Sequence, residues 1–146
     1  MSSISHYPAV INDRVPFRFP SDVVINGSKG ADLILIATGS EVQFAVEARA
    51  ILESEGISTR VVSAPCLEWF EEQSAEYKES VLPQASKARV SIEAGISSFW
   101  RGYVGDHGIA IGIDHFGASA DYKTLYQEFG ITTQAVVDAS RKVLGK

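Results

Sequence analysis

Ala31-Asp-Leu-Ile-Leu-Ile-Ala-Thr-Gly-Ser-Glu-Val-Gln-Phe-Ala-Val-Glu-Ala48 decides how this chain folds. Leu33 to Ala37 is an unbroken apolar run, the pattern of a strand covered on both faces. Thr38-Gly39-Ser40 makes a one-glycine turn, and Ser40 is placed to cap a helix. Beyond it Phe44, Ala45, Ala48, Ile51 and Leu52 recur as one apolar stripe facing the sheet, until Gly56 ends the helix. Such a turn aims backbone N–H groups and the positive end of the helix dipole at the crevice beyond the strand. Open α/β sheets keep their ligands in that crevice. The segment is therefore either a ligand site or the founding βα unit of the fold.

Outward from this unit the same alternation continues. A second strand at Ser58–Ser63 stops at Pro65, and a polar helical region over Glu68–Leu82 ends before Pro83. Strands are expected at Ala88–Glu93 and Gly108–Ile113, with helical turns at Ile96–Tyr103 between them. The small residues of Gly108-Ile-Ala-Ile-Gly-Ile113 leave room for close packing of another chain element. A short helix over Asp121–Phe129 closes at Gly130. Thr132 or Thr133 then caps a last helix with Val136, Val137, Ser140, Val143 and Leu144 on one face. Strands separated by helices predict a three-layer α/β/α sandwich around a mostly parallel sheet of about five strands. Upstream, Pro8, Pro16 and Pro20 break any regular element, so residues 1–21 read as an extended arm or interdomain linker, with Val23-Val24-Ile25 a short edge strand and 22–146 the domain.

Composition narrows the function. The 146 residues suit one domain with a real core, and 45% of them are apolar. The mean hydropathy of +0.04 fits a soluble globular chain. With 13 basic and 18 acidic side chains the net charge is −5, which argues against nucleic-acid and anionic-membrane surfaces. No apolar run approaches the roughly 18 residues needed to cross a bilayer. A single cysteine and the absence of a signal-peptide pattern make the cytoplasm the expected compartment.

Candidate chemistry is sparse. Thr38, Gly39 and Ser40 form a candidate anion-binding turn, but neither G-x-G-x-x-G nor G-x-x-x-x-G-K-[ST] is present, and Glu41 already offers a negative charge to the helix. Cys66 follows Pro65 at a strand end, where a thiol nucleophile would need a base such as His107 or His115 beside it; its ordinary role is that of a small apolar residue. Glu93, Asp114, His115 and His107 end strands or adjoin them at one edge and would bind metal only if the fold made them converge. The aromatic complement (Trp69, Phe70, Phe99, Trp100, Tyr103, Tyr122, Tyr126) suits a core or an interface, and its densest piece is Phe99-Trp100-Arg101-Gly102-Tyr103.

Several blocks then carry a resemblance. Asp32-Leu-Ile-Leu-Ile-Ala-Thr-Gly-Ser-Glu-Val42, Arg60-Val-Val-Ser-Ala-Pro65, Tyr77-Lys-Glu-Ser-Val-Leu-Pro83 and Val90-Ser-Ile-Glu-Ala-Gly95 come in the order seen in the C-terminal domain of transketolases. Trp100 with Tyr103-Val-Gly105, His115-Phe-Gly-Ala-Ser-Ala120 and Glu128-Phe-Gly-Ile-Thr132 continue that order over residues 22–145. The resemblance extends equally to dihydroxyacetone synthase. It implies a parent enzyme that is homodimeric, depends on thiamine diphosphate and a divalent metal (Mg or Ca), and moves a two-carbon ketol unit between sugar phosphates. It further implies that cofactor and catalytic residues lie on two preceding domains, for which no Gly-Asp-Gly motif is found here. The expected role is structural, with no cofactor, catalytic or metal residue in this chain. The expected partners are a second copy and those two domains. Glu93, Trp100, Tyr103, Asp114 and Phe116 are the candidate interface or strand-end positions.

Overall fold

The computed structural model describes residues 23–25 and 30–146; the arm expected over 1–21 lies outside them. Five strands form one sheet: β1 (Val23–Ile25), β2 (Leu33–Ala37), β3 (Thr59–Ser63), β4 (Arg89–Ile92) and β5 (Ile109–Ile111), in the spatial order β1-β3-β2-β4-β5. β2 to β5 are parallel, and β1 closes the β3 edge in the antiparallel sense, with Val23 opposite Ser63. The helices are α1 (Val42–Ser54), α2 (Leu67–Glu71), α3 (Ala75–Val81), α4 (Arg101–Val104), α5 (Tyr122–Glu128) and α6 (Thr133–Val143). Among the described residues no helix is long and apolar enough to cross a membrane.

Strand periodicity divides the core in two. Leu33, Leu35 and Ala37, with Val61, Val90 and Ile92, face α1 and α6 and pack on Ala45, Ala48, Leu52, Val136 and Val137. Ile34, Ile36 and Val62 point the other way, onto Phe70, Val81, Trp100 and Val104. A strand buried on both faces must be apolar throughout, and all five residues of β2 are. The result is the three-layer α/β/α sandwich expected from the sequence.

α1 and α6 lie side by side and run in the same direction. Thr133 Oγ1 donates to the Glu47 carboxylate near their start, and Arg141 Nη2 meets Glu55 Oε1 at 2.5 Å at their end. Both steps, 47 to 55 and 133 to 141, are eight residues, or about 12 Å of helix rise, so the two contacts stay in register. Gly56, at φ 81°, lets the chain turn back so that Ile57 N donates to Leu52 O at 3.0 Å, ending α1 as expected.

Local differences from expectation have physical reasons. The single helical region over 68–82 is two helices, because Ser74 leaves the helical path and accepts a hydrogen bond from Tyr77 N at 3.2 Å as a new cap. Residues 96–103 form a 3₁₀ turn, Ser97–Trp100, followed by the one-turn α4. Ile51 is 39% exposed rather than turned to the sheet, since it sits about 100° round the helix from the buried Leu52. β5 is shorter than 108–113. The close packing expected of the small residues in this segment is there: a Cβ on Gly112 would lie 2.6 Å from Gly95 O, and one on Gly108 2.3 Å from Val104 O. Thr132 is the cap of α6, accepting from Ala135 N at 3.1 Å.

Candidate functional site

From β2 the chain moves through α1 to β3 on one side, while β4 lies on the other side of β2. Crossovers that diverge like this leave a crevice beyond the carboxyl ends of the strands, where α/β sheets place their ligands. A groove of about 480 Å³ occupies that position here. Thr38 follows β2, Ala64-Pro65-Cys66 follows β3 and Glu93 follows β4; α2 adds Glu68 and Glu71, and the segment around α4 adds Phe99, Trp100 and Tyr103.

The groove is acidic and aromatic. Trp100 is 2% exposed, and its indole N–H donates to Glu93 Oε2 at 2.6 Å. Its ring meets Tyr103 edge-on, with centroids 6.0 Å apart. The Tyr103 hydroxyl donates to Glu71 Oε1 at 2.8 Å, while Lys78 Nζ holds Glu71 Oε2 at 2.8 Å. Burial, and then the adjoining Glu71 carboxylate, push the Tyr103 phenol up to about 12. The Lys78 ammonium, followed by the Tyr103 hydroxyl, holds the Glu71 carboxyl below its ordinary range. Among the described residues three carboxylates and no Lys or Arg line the groove, a lining whose charge favours a cationic or apolar occupant over an anion.

Cys66 is half-buried in the same wall, and its thiol donates to Glu68 Oε2 at 3.4 Å. Among the described residues neither His107 nor His115 lines the groove, so no histidine stands beside the sulfur, whose hydrogen-bond partner is the Glu68 carboxylate. The strand-end acids do not converge either. Glu93 turns to Trp100, Asp114 accepts from Ser97 N at 2.9 Å and Ser97 Oγ at 2.6 Å, and the His115 ring packs on Phe129. Those Ser97 bonds hold the Asp114 carboxyl below its ordinary range. Among the described residues no group of three His, Cys, Asp or Glu could hold a metal ion.

After the extended Thr38, residues Gly39–Glu41 form a 3₁₀ turn running into α1, and Ser40 does not cap the helix as expected. Its hydroxyl donates to Glu41 Oε1 at 2.6 Å, and the Tyr126 hydroxyl donates to the same oxygen at 2.6 Å. Glu41 is 5% exposed, so a buried carboxylate fills the space at the helix start and draws the neighbouring donors to itself. Hydrogen bonding to Glu41 raises the Tyr126 phenol above its ordinary value.

Of the candidate interface residues, Glu93, Trp100 and Tyr103 are joined in the groove wall, whereas Asp114 and Phe116 lie on the surface after β5. Phe116 is 99% exposed, and Ile96 and Phe99 are exposed on either side of Ser97, which is hydrogen-bonded to Asp114. Glu68 and Glu71 were not singled out by sequence reading. Their signal was the spacing of two acids three apart in the first helix after a strand-ending proline.

Residues 23–132 match the family profile of the transketolase-like TK C-terminal domain. The chain is 54% identical over 117 residues to a transketolase of Mycobacterium leprae, covering 80% of this chain and 17% of that protein. It is 56% identical over 123 residues to the chloroplastic transketolase of Solanum tuberosum, covering 83% of this chain and 17% of that one. Transketolase from Leishmania mexicana superposes with a TM-score of 0.79 at 36% identity, over 86% of this chain and 18% of that structure. An inactive β4 tetramer of a split-gene transketolase superposes with a TM-score of 0.67 at 25% identity, over 94% of this chain and 46% of that one. The chain thus spans about one sixth of the curated relatives it matches, and it belongs to the transketolase family, as the C-terminal domain.

Proposed function

We propose that this chain acts as the non-catalytic C-terminal domain of a thiamine-diphosphate-dependent, transketolase-type transferase, contributing to structure and dimerisation. Its partners are a second copy and the two domains that precede it in the relatives, and its compartment is the cytoplasm. The observation that carries this reading is the match itself, which takes in the whole sheet yet covers only 17% of the curated relatives. The residues here do not fit the cofactor. Among the described residues a diphosphate would face Glu68, Glu71 and Glu93 in the groove with no basic group lining it, and a metal would find no cluster of ligands. When bound to the parent enzyme, thiamine diphosphate supplies the carbanion chemistry of ketol transfer; this domain supplies surface. Asp114 and Phe116, with the exposed Ile96 and Phe99, are the surface we assign to partner contacts, and Glu93, Trp100 and Tyr103 support it from behind.

The test is reconstitution. Alone, with thiamine diphosphate and magnesium, the chain is expected to transfer no ketol unit between sugar phosphates. Fused to the first two domains of a bacterial relative it is expected to complete a dimeric, active enzyme. Turnover by the chain alone would overturn the reading. The rival role, an anion module at Thr38, Gly39 and Ser40, meets the buried Glu41 carboxylate at that spot; heat on calorimetric titration with phosphate or sugar phosphates would revive it.

A further inference from the structure

Asp114 and Ile131 are two fixed points with a long excursion of the chain between them. The Asp114 carboxylate accepts from Ser97 N at 2.9 Å and Ser97 Oγ at 2.6 Å, and Ile131 is fully buried. No residue from 115 to 130 is buried, those of α5 included. The excursion is stitched largely to itself. The His115 ring meets Phe129 edge-on with centroids 4.6 Å apart, which closes one end on the other. Asp121 caps α5 by accepting from Lys123 N and Thr124 N, each at 3.1 Å, and Tyr122 packs edge-on against Tyr126 at 6.1 Å. Compact surface loops with close ends and internal packing of this kind frequently carry function. The hold on the rest of the domain centres on Tyr126. Its hydroxyl donates to Glu41 Oε1 at 2.6 Å, and its ring lies 5.9 Å from that of Phe44 in α1, while Phe129 adds packing against the core.

We propose that residues 115–130 are a strap that opens as a unit over the start of α1, with the Tyr126–Glu41 hydrogen bond as its clasp. The clasp is costly to keep dry. Glu41 is 5% exposed, and a carboxylate held out of water gives up hydration that the Ser40 and Tyr126 hydroxyls replace only in part. Opening returns the carboxylate and the phenol to water, so solvent hydrogen bonds offset the one that breaks. The strap itself buries little apolar surface, the property of segments that open well below the free energy of global unfolding. In the open state Ser40, Glu41 and Phe44 are bared at the carboxyl end of β2, beside Thr38 in the groove wall. The strap thus sets access to that end of the crevice. None of this depends on the transferase role proposed above.

Lys123 reports the opening, because it stands in the first turn of α5 and no other Lys or Arg lies between Arg101 and Arg141. A protease must unwind that turn to cut there. The experiment is native-state trypsin digestion of the full chain, with cleavage after Lys123, Arg60 and Arg89 followed by mass spectrometry, for the wild type and Tyr126→Phe. That substitution removes the clasp hydroxyl and keeps the ring. Expected is several-fold faster cleavage after Lys123 in the variant, with cleavage after Arg60 and Arg89 unchanged. Hydrogen exchange of the wild type needs no variant, and the α5 amides are expected to exchange together and several-fold faster than those of α6. Equal rates after Lys123 in the two proteins would overturn the proposal. So would equal acceleration at all three sites, which is global unfolding, or α5 exchanging in step with α6.

Discussion

The Trp100 indole N–H and the Glu93 carboxylate meet at 2.6 Å across the end of β4, joining the largest buried side chain to the rim of the groove. Trp100→Ala is expected to cost about 3–5 kcal/mol, the range for deleting a large buried aromatic side chain. Glu93→Gln keeps an acceptor and should cost about 1 kcal/mol, whereas Glu93→Ala strands a buried N–H and should cost about 1–3 kcal/mol. Urea unfolding of the three variants orders them. Equal losses for Glu93→Gln and Glu93→Ala would mean the bond contributes nothing.

Gly112 is defined by what surrounds it. An added Cβ would sit 2.6 Å from Gly95 O and 2.9 Å from Ser97 N, both backbone atoms that cannot rotate aside. Gly112→Ala is expected to destabilise by about 1–3 kcal/mol, as overpacking does. Gly117→Ala has open space and no positive φ, and should change stability by less than about 0.5 kcal/mol. Thermal melts of the pair provide the check.

Ser91 is fully buried in β4, and its hydroxyl has no hydrogen-bond partner. A buried hydroxyl with nothing to bind costs free energy, so Ser91→Ala is expected to stabilise the domain by about 1 kcal/mol. A lower urea midpoint in the variant would show that the hydroxyl is satisfied in solution.

The raised phenol of Tyr103 makes an alkaline prediction. Its value rises from 10.0 in the free side chain to about 12 here, so the unfolded chain loses that proton first. The stabilisation is complete below pH 10 and is lost as pH climbs towards 12. Unfolding measured across this window should fall more steeply in the wild type than in Tyr103→Phe. Parallel curves would remove Tyr103 as the source.

Phe116 is almost wholly exposed, so the folded monomer gains nothing from its ring. Phe116→Ser is therefore expected to leave the melting temperature of the isolated chain unchanged and to weaken self-association, as seen by sedimentation at increasing concentration. A lowered melting temperature with association intact would place Phe116 in the fold instead.

The sheet was legible because β2 and β3 carry long apolar or β-branched runs, and a fully covered strand leaves little else to read. The helical stretches were legible in place but not in number: one serine at 74 splits a helix whose periodicity is otherwise continuous. Neighbouring aromatics were harder. Phe99 and Trp100 are adjacent in sequence, and only the pitch of the 3₁₀ turn decides that the tryptophan goes inward and the phenylalanine outward. The groove was illegible for a similar reason. Thr38, Cys66 and Glu93 belong to three strand ends that only the β3-β2-β4 order brings together. Ser40 looked like a cap by residue type, yet it lies inside the 3₁₀ turn Gly39–Glu41 and not at the start of α1, so its oxygen accepts no helix N–H and its hydroxyl donates to Glu41 instead.

The antiparallel β1 has a mechanical consequence. The chain enters β1 at the carboxyl edge of the sheet, while the parallel run of α1 and α6 brings Arg141 and the last residues to the opposite edge, beside Glu55. Tension applied through the two ends therefore acts along the strand axis and loads the β1–β3 hydrogen bonds together in shear, so they must fail at once and cannot be peeled one by one. A three-residue strand is a small stability element, but in this orientation it is the domain's anchor against force from whatever precedes it.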